Sequence, residues 1–599
     1  MSRLGVAIAL CFCLSGAALA QDEVPAAALA AESGGRWDEA LRLYREVLGR
    51  EPGRADLWVR VADVEARLGN ADAAIAALTA AVDADRQNPE LHVRLSQAHA
   101  AAGNAGMALR SIEEALAVRP AEPEYLRAGA VLATWAGDHD KAFERYRKLQ
   151  RLEPENEAIL LSLARVSSWS GRTRQAIDTY RRYLGRQPND TDAWLELAAA
   201  ESWRGSYVAA LGALEEYRGR FGSSRAYTLA LARALAGAGR PSRAMEVLEP
   251  LWLQDPDNSE VNLARTVALT TRRDIGDAYA ALAAVRRVQP ESLETKNVER
   301  LVRATLGSSV GAGFSVYADS DDLQIATAAP VGSLRLQSGT DLSAGYARSV
   351  LQAPRESGLG TTAGDDAVLQ RTWGALAQTF SGLTFSGRLG SALADERRVT
   401  EYALGARWRA SDAFEVEAES GYGFVAISPR TLELGLTEHR SRVDARWTPT
   451  ISAAIDLDAT YSRFSDGNRL WQVRVSPRHA VVRSQWMNLD LGASVYRLEV
   501  SRDLSNGYYD PQRYEAYEGT AFPYVKISED VGLGFSLAAG VQREEAQPFR
   551  AGGSASAEAT FGIYRAWLLR VSASATHNVR QQSGAFGGYS GSVVLSRRY

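Results

Sequence analysis

Residues 130–154, AVLATWAGDHDKAFERYRKLQRLEP, specify the fold of the N-terminal half. In order, this stretch holds a small residue, a glycine, an alanine, a large aromatic residue and a proline: Ala130, Gly137, Ala142, Tyr146 and Pro154. Glycine is suited to the turn after a helix, and proline ends one helix and starts another because it has no backbone N–H. The stretch therefore predicts two helices joined by a tight turn.

The same pattern recurs with a period of 34 residues. An alanine occupies one position in eight consecutive repeats: Ala40, Ala74, Ala108, Ala142, Ala176, Ala210, Ala244 and Ala278. Five residues before it, seven repeats have a glycine: Gly35, Gly69, Gly103, Gly137, Gly171, Gly205 and Gly239. The eighth repeat has Arg273 there. Twelve residues before each alanine stands a small residue, and four after it a large apolar one, so each unit is predicted to pack two closely approaching helices.

The period and the residue types resemble tetratricopeptide repeats. The resemblance implies an α-solenoid of eight repeats over residues 21–292, followed by a capping helix and linker at 293–307. Stacked helix pairs form a concave groove, so this half is predicted to bind a partner and not to catalyse a reaction.

Three tryptophans occupy one position in successive repeats, in the segments TWAG, SWSG and SWRG: Trp135, Trp169 and Trp203. In tetratricopeptide proteins this late position of the first helix often faces the groove. We therefore expect these side chains to stack on sugar rings or to hold a partner segment. The alternative is that they fill the seam between the helices and the following turn.

Residues 1–20 have the features of a secretory signal peptide, with Arg3, an apolar run and a small-x-small site before Gln21. The alternative is an uncleaved anchor. Cleavage removes Cys11 and Cys13, the two cysteines, so the mature chain is predicted to lack disulfides and thiolate metal sites. The 68 basic and 72 acidic residues give no basic excess, and we expect no nucleic-acid partner.

From residue 308 to residue 599 the sequence alternates between apolar and polar residues, as in 414–424 and 531–542. Alternation predicts β-strands with one apolar face. Runs of ten to fourteen residues, with short turns and longer loops such as 352–366, favour a transmembrane barrel of about 16 strands over a soluble β-sandwich. The chain is thus an α + β multidomain protein by prediction. Aromatic residues near strand ends are expected in the membrane interfaces: Tyr402, Trp408, Phe414, Phe424, Trp447, Trp471 and Trp567.

The predicted barrel has 29 basic and 31 acidic residues, so neither sign dominates. The polar face is expected to line a pore, with these candidates: Arg407, Arg409, Glu415, Glu417, Glu419, Asp456, Asp458 and Arg474. Such a balanced lining suits a neutral or weakly cationic polymer better than a strongly anionic one. The alternative for each residue is that its charge pairs with another and maintains the shape of the barrel.

No catalytic motif is present. The six histidines are scattered without metal-ligand spacing, and there is no nucleophile elbow or phosphate-binding loop. We expect no enzyme activity, no cofactor and no metal.

The order of signal peptide, tetratricopeptide repeats and C-terminal barrel resembles the exopolysaccharide export porins, such as the poly-N-acetylglucosamine export porin and the outer-membrane component of cellulose synthase. The segment 507–514, GYYDPQRY, is similar to a stretch in the cellulose-type barrels. The terminal Tyr599 is similar to the aromatic signal that the outer-membrane assembly machinery reads. Smaller repeat–barrel proteins share the Trp-x-Gly endings.

The resemblance implies passive export of a polysaccharide through a monomeric outer-membrane barrel. The repeats, in the periplasm, are expected to bind the polymer or a periplasmic or inner-membrane synthesis protein. Two alternatives remain open at this point. In one, a plugged barrel anchors repeats that scaffold another surface complex, and in the other the chain is a soluble scaffold for enzymes.

Overall fold

A computed structural model describes residues 26–362, 364–380, 382–578 and 586–599. The predicted signal peptide, 1–20, lies outside the described residues. The chain divides into two compact units, one ending at Pro188 and the other spanning Asn189–Tyr599.

In the first unit, the described residues form ten helices that pair along the chain as the repeats predict. They are α1 Ala26–Ser33, α2 Trp37–Arg50, α3 Ala55–Arg67, α4 Ala71–Ala84, α5 Pro89–Ala101, α6 Ala105–Val118, α7 Pro123–Trp135, α8 His139–Leu152, α9 Glu157–Trp169 and α10 Thr173–Arg186.

The second unit begins with seven more helices and continues into the barrel. The helices are α11 Thr191–Arg204, α12 Tyr207–Phe221, α13 Arg225–Gly237, α14 Pro241–Gln254, α15 Ser259–Arg272, α16 Ile275–Val288 and α17 Leu293–Leu306. No helix among the described residues is long and apolar enough to cross a membrane.

The repeat positions have the physical roles that their residue types require. All eight register alanines are buried, as are the small residues twelve positions earlier and the large residues four positions later. The seven turn glycines have φ between 71° and 85°, a region that disfavours residues with a Cβ atom. Arg273, in the eighth turn, adopts the same conformation with φ 63°. Every repeat therefore makes the same turn.

The described residues from Ser309 onward form one closed antiparallel barrel of sixteen strands in sequential order. The strands are β1 Ser309–Asp319, β2 Gln324–Arg335, β3 Thr340–Gln352, β4 Asp366–Phe380, β5 Leu383–Ala394, β6 Arg397–Ser411, β7 Phe414–Phe424, β8 Thr437–Trp447, β9 Ala453–Phe464, β10 Arg469–Arg483, β11 Met487–Val500, β12 Tyr514–Lys526, β13 Val531–Glu544, β14 Arg550–Phe561, β15 Trp567–Asn578 and β16 Phe586–Arg598. The predicted fold class, a tetratricopeptide solenoid followed by a barrel of about 16 strands, is confirmed.

The two faces of the barrel differ in chemistry. Apolar side chains such as Phe314, Leu404 and Leu537 are exposed on the outer face, which is typical of a barrel whose surface meets lipid. Six of the seven predicted interfacial aromatics are exposed as well. The prediction for Phe424 is wrong, because this residue ends its strand and is buried against Leu432.

The two ends of the barrel also differ. At the end that holds Ser309, the start of β1, most connections are short turns, such as 412–413 and 448–452. At the opposite end, long segments follow β3, β7 and β11, and the one after β7 contains the short helix α18, Pro429–Glu433.

The short-turn end is joined to the last repeats within the second unit. The Arg240 guanidinium, which is buried, donates to Asp412 O at 2.7 Å, Thr448 Oγ1 at 2.9 Å and Thr448 O at 2.7 Å. In return, the Asp412 carboxylate accepts from Ser242 N at 2.9 Å and Arg243 N at 3.0 Å. Two barrel turns thus hold the first turn of α14.

Candidate functional site

The eight charged residues predicted to line a pore share the inner face of β6, β7, β9 and β10. Strand register places them in neighbouring pairs, with Arg407 opposite Glu417, Arg409 opposite Glu415, and Asp458 opposite Arg474. A lining role for these residues stays a prediction, but the strands bring them into one continuous wall.

Most of these charges are paired with a neighbour. Arg407 Nη2 lies 2.6 Å from Glu417 Oε2, and Arg409 Nε lies 3.1 Å from Glu415 Oε2. Asp456 and Asp458 pair with arginines on adjacent strands, and the Arg474 guanidinium lies 4.8 Å from the centre of the Tyr496 ring. Half-exposed ion pairs stabilise a fold by about 0–1 kcal/mol each, so this wall is polar and ordered without being a strong determinant of stability.

Four charged residues of the same wall were missed from the sequence: Arg442, Asp444, Arg446 and Arg478. Arg446 Nε lies 2.6 Å from Asp456 Oδ1, and Arg442 Nη2 lies 2.7 Å from Asp458 Oδ2. The signal was available in the sequence, because every second residue of 438–446 is charged while Val443, Ala445 and Trp447 alternate with them.

The charged wall surrounds a cavity of about 360 Å³ on the inner face of β7–β10. Its lining combines carboxylates, guanidinium groups and one hydroxyl, among them Glu417, Asp444, Asp458, Arg474 and Ser476. Charged and polar side chains predominate in this lining, which also includes Ala445 and Leu457. The cavity therefore offers hydrogen-bond donors and acceptors to a polar ligand.

The inner face of β15 and β16 has a different lining, made of small hydroxylated residues. Ser572 and Ser592 are hydrogen-bonded across the strands at 2.7 Å, and so are Ser574 and Ser590. Thr576 continues the row. The alternating serines, Ser572 and Ser574 in β15 and Ser590 and Ser592 in β16, are visible in the sequence but were not singled out. The barrel therefore has a charged wall and a hydroxyl wall.

The long connections at the second end of the barrel fold together. We call the described residues of 353–362, 425–436 and 501–513 the loop cluster. Arg430 N donates to Leu359 O at 2.8 Å, and Ser428 Oγ donates to Gly507 O at 2.5 Å, so the middle segment joins the other two. Leu432 of α18 packs on inner-face residues such as Leu351 and Leu369, which places α18 across part of the barrel end.

The segment 507–514, singled out for its resemblance to cellulose-type barrels, lies in this cluster except for its last residue, Tyr514, which begins β12. Gly507 has φ 86° and a Cβ there would meet Ser428 Oγ, which explains the glycine. The Tyr508 ring stacks on Phe464 with a centroid distance of 5.0 Å, and its hydroxyl donates to Asp466 Oδ2 at 2.8 Å. The motif thus stabilises the loop cluster.

The structure places the three tryptophans near the C-terminal ends of α7, α9 and α11. Their exposed fractions are 60% for Trp135, 42% for Trp169 and 55% for Trp203. The Trp169 ring lies 5.6 Å from the His139 ring, centroid to centroid. A role in groove binding stays a prediction for all three. Their large exposed apolar surfaces are unusual for residues that only fill a seam.

Among the residues that the structure describes, no group of three or more histidine, cysteine, aspartate or glutamate side chains is placed to hold a metal.

Comparison of the sequence with protein families finds tetratricopeptide repeats at residues 17–89, 135–201 and 204–268. A search of curated protein sequences gives no match.

Solved structures with local likeness fall into two groups. A "bacterial polysaccharide outer membrane secretin" is 10% identical, with 49% of this chain and 99% of that chain covered and a TM-score of 0.43. The MamA protein is 20% identical over 28% of this chain and 91% of its own, with a TM-score of 0.24. A tetratricopeptide repeat protein from Parabacteroides merdae is 13% identical over 40% of this chain and 96% of its own, with a TM-score of 0.26. The first is an outer-membrane protein and the last a repeat protein by description, and at these low TM-scores none carries an argument about function.

Proposed function

We propose that this protein is an outer-membrane conduit through which a polysaccharide leaves the periplasm. The barrel supplies a polar path, and the repeats bind the polymer or a periplasmic or inner-membrane protein that makes it. No residue of the chain performs chemistry, so synthesis of the polymer supplies the driving force.

The observation that supports this proposal most is the pairing of two polar inner walls with an apolar outer face. A polysaccharide carries many hydroxyl groups, each of which must exchange its hydrogen bonds with water for others along the path. Serine hydroxyls on β15 and β16 and ion-paired side chains on β6–β10 offer such partners. A barrel of this strand number is wide enough to leave an aqueous channel.

The repeats contribute exposed aromatic surface. Trp135, Trp169 and Trp203 each present an indole ring to solvent, and indole faces stack on the apolar faces of sugar rings. This surface supports binding of the polymer. A protein segment is the other expected occupant, because tetratricopeptide repeats commonly bind peptides along their groove.

Conductance in planar bilayers tests the conduit. Purified protein and a variant in which residues 427–434 are replaced by a short glycine–serine turn are compared. The matched control shortens the connection at 546–548, at the same end of the barrel, and keeps Glu545, which is hydrogen-bonded to Gln512 and Arg513 of the loop cluster. We expect the 427–434 replacement to raise conductance while the control leaves it unchanged. Absence of conductance in every variant contradicts the conduit.

A second function is favoured by the loop cluster itself. Because α18 packs on the inner face of β3–β5, the barrel is also compatible with a closed anchor whose repeats scaffold another surface complex. The replacement of 427–434 separates the two functions. If the barrel is only an anchor, replacing 427–434 leaves the protein folded and does not raise its conductance. Polymer export by cells that carry this variant is then the same as in the wild type.

Localisation is tested by fractionation. We expect the protein in the detergent-extracted outer membrane, with gel mobility that changes on heating, as for other stable barrels. A soluble scaffold for enzymes fractionates with the periplasm and contradicts the outer-membrane assignment. Protease added to intact cells should leave residues 26–306 uncut, whereas protease added after the outer membrane is opened should digest them.

A further inference from the structure

The turn of the eighth repeat departs from the other seven. Arg273 occupies the position of the turn glycines and has φ 63°, a conformation that is unfavourable for a residue with a Cβ atom. A glycine would relieve this strain, as it does in the seven other turns. An outlier of this kind points to a role for the side chain.

The turn faces a cavity at the short-turn end of the barrel. The cavity has a volume of about 210 Å³ and is lined by five arginines, two from the repeats and three from the strands: Arg272, Arg273, Arg335, Arg407 and Arg409. Arg409 Nη1 donates to Arg272 O at 2.5 Å, and Arg335 Nη1 donates to Thr305 O at 3.0 Å. The first bond holds the repeat turn against β6, and the second holds the end of α17 against β2.

Four of the five guanidinium groups have a carboxylate partner. Arg335 pairs with Asp341 at 3.0 Å, and Arg272 pairs with Asp274 beside it. Arg407 and Arg409 pair with Glu417 and Glu415 on the next strand. Their positive charges are therefore largely balanced within the protein.

Arg273 differs from these four. Within the described parts of the chain, no carboxylate oxygen lies within 4.0 Å of its guanidinium. Arg273 is exposed to solvent and also lines the cavity. Desolvation by the neighbouring protein, together with the charges of Arg407 and Arg335, lowers the pKa of Arg273. An anion at this point would supply the missing partner.

We propose that Arg273 and the adjoining arginines bind an anionic substituent of the exported polymer, a carboxylate or a phosphate group. This inference rests on the proposed function. The planar guanidinium forms two parallel hydrogen bonds with either group, which gives selectivity over uncharged sugars. Most charges on the wall beyond this point are paired with a neighbour, so we place recognition of the anion at the repeat end of the barrel. The polymer is then anionic at intervals, in contrast to the neutral or weakly cationic cargo expected from the overall charge balance.

Binding to the purified full-length protein in detergent tests the site by isothermal titration calorimetry. The probes are trigalacturonate, inorganic phosphate and maltotriose, at low and high salt. The variant is Arg273→Gly, which restores the residue of the other seven turns and is expected to fold. The control, Arg225→Gln, removes an exposed charge from the same unit at a residue that does not line the cavity.

We expect Arg273→Gly to weaken binding of trigalacturonate about tenfold, the loss that one charge-assisted hydrogen bond predicts. Arg225→Gln and maltotriose should show no such difference, and Arg273→Lys should bind more tightly than Arg273→Gly. Equal binding by the wild type and Arg273→Gly, for both anions, overturns the inference. So does an equal loss of maltotriose binding, because the site would then not select charge. If only the binding of phosphate depends on Arg273, the substituent is a phosphate group. If only the binding of trigalacturonate depends on Arg273, the substituent is a carboxylate.

The outcome is separable from that of the conduit. A protein that binds trigalacturonate through Arg273 but never conducts keeps the anion site and loses the proposed export function. A protein that conducts, with trigalacturonate blocking the wild type and Arg273→Gly equally, keeps the conduit and loses the anion site.

Discussion

The contact between Asp412 and α14 offers a sharp test of how the last repeats are held on the barrel. Arg240 precedes α14 and supplies no side-chain cap to it. Asp412, in the turn between β6 and β7, takes that role by accepting from Ser242 N at 2.9 Å and Arg243 N at 3.0 Å. Its negative charge also lies at the positive end of the helix dipole. The residue that caps α14, Asp412, thus lies 170 positions after Ser242 in the sequence.

Asp412→Ala removes both hydrogen bonds. Loss of a helix cap costs about 1 kcal/mol, with about 2 kcal/mol at the upper end. A loss of one to two kcal/mol corresponds to roughly five- to thirtyfold faster hydrogen exchange through local opening. We expect this acceleration at the start of α14, followed by mass spectrometry of a peptide that covers 238–254. The strands of the barrel should keep their exchange rates and their heat-modifiable gel mobility.

The matched control is Asn258→Ala. Asn258 caps α15 through Val261 N at 3.2 Å, so the same kind of cap is lost but inside the repeat. This variant should speed exchange in α15 and leave the barrel turn at 412–413 unchanged, whereas Asp412→Ala should affect α14. Unchanged exchange in α14 of Asp412→Ala, with the expected change in the control, refutes the assignment of Asp412 as the cap.

Three further outcomes are expected. Gly171→Ala places a Cβ at φ 75° and should destabilise the repeats by about 1 kcal/mol. Gly185→Ala, inside α10, should stabilise them by about 0.5–1 kcal/mol. Both changes are measured by the thermal loss of helical circular dichroism. Trp135→Ala should change the free energy of unfolding by no more than about 0.5 kcal/mol, because the side chain is exposed. The same variant should bind oligosaccharides less well, measured as reduced quenching of tryptophan fluorescence. Undiminished binding contradicts a role for Trp135 in the groove. Burial, together with the charges of Asp503 and Asp466, raises the pKa of Asp510 above its ordinary 3.8. The charged form of Asp510 therefore destabilises the loop cluster, and protonation stabilises it. Hydrogen exchange of 501–513, corrected for its intrinsic pH dependence, should slow as pH falls through the raised pKa. Asp510→Asn should remove this pH effect.

Both architectures could be predicted from the sequence, because each depends on a short-range pattern. A period of 34 residues with alanine, glycine and large apolar positions specifies a repeated helix pair, and the structure buries every one of those alanines. Alternation specifies a strand and separates its two faces, so the polar side chains of β6, β7, β9 and β10 were identified before their neighbours were known. The unrecognised charges of β8 follow the same alternation and were within reach.

Which residues meet depends on the tertiary structure. Alternation assigns a side chain to a face, but register and closure of the barrel determine that Arg407 lies beside Glu417. Phe424 has the pattern of an interfacial residue, yet α18 covers it, and a loop without periodicity predicts no such contact. Arg273 was visible as the exception to a row of glycines. The sequence did not show what this side chain contacts, because the strand residues that line the same cavity lie more than sixty positions further along the chain. The cavity lined by Arg335 and Arg407 exists only when the last repeat and the closed barrel meet.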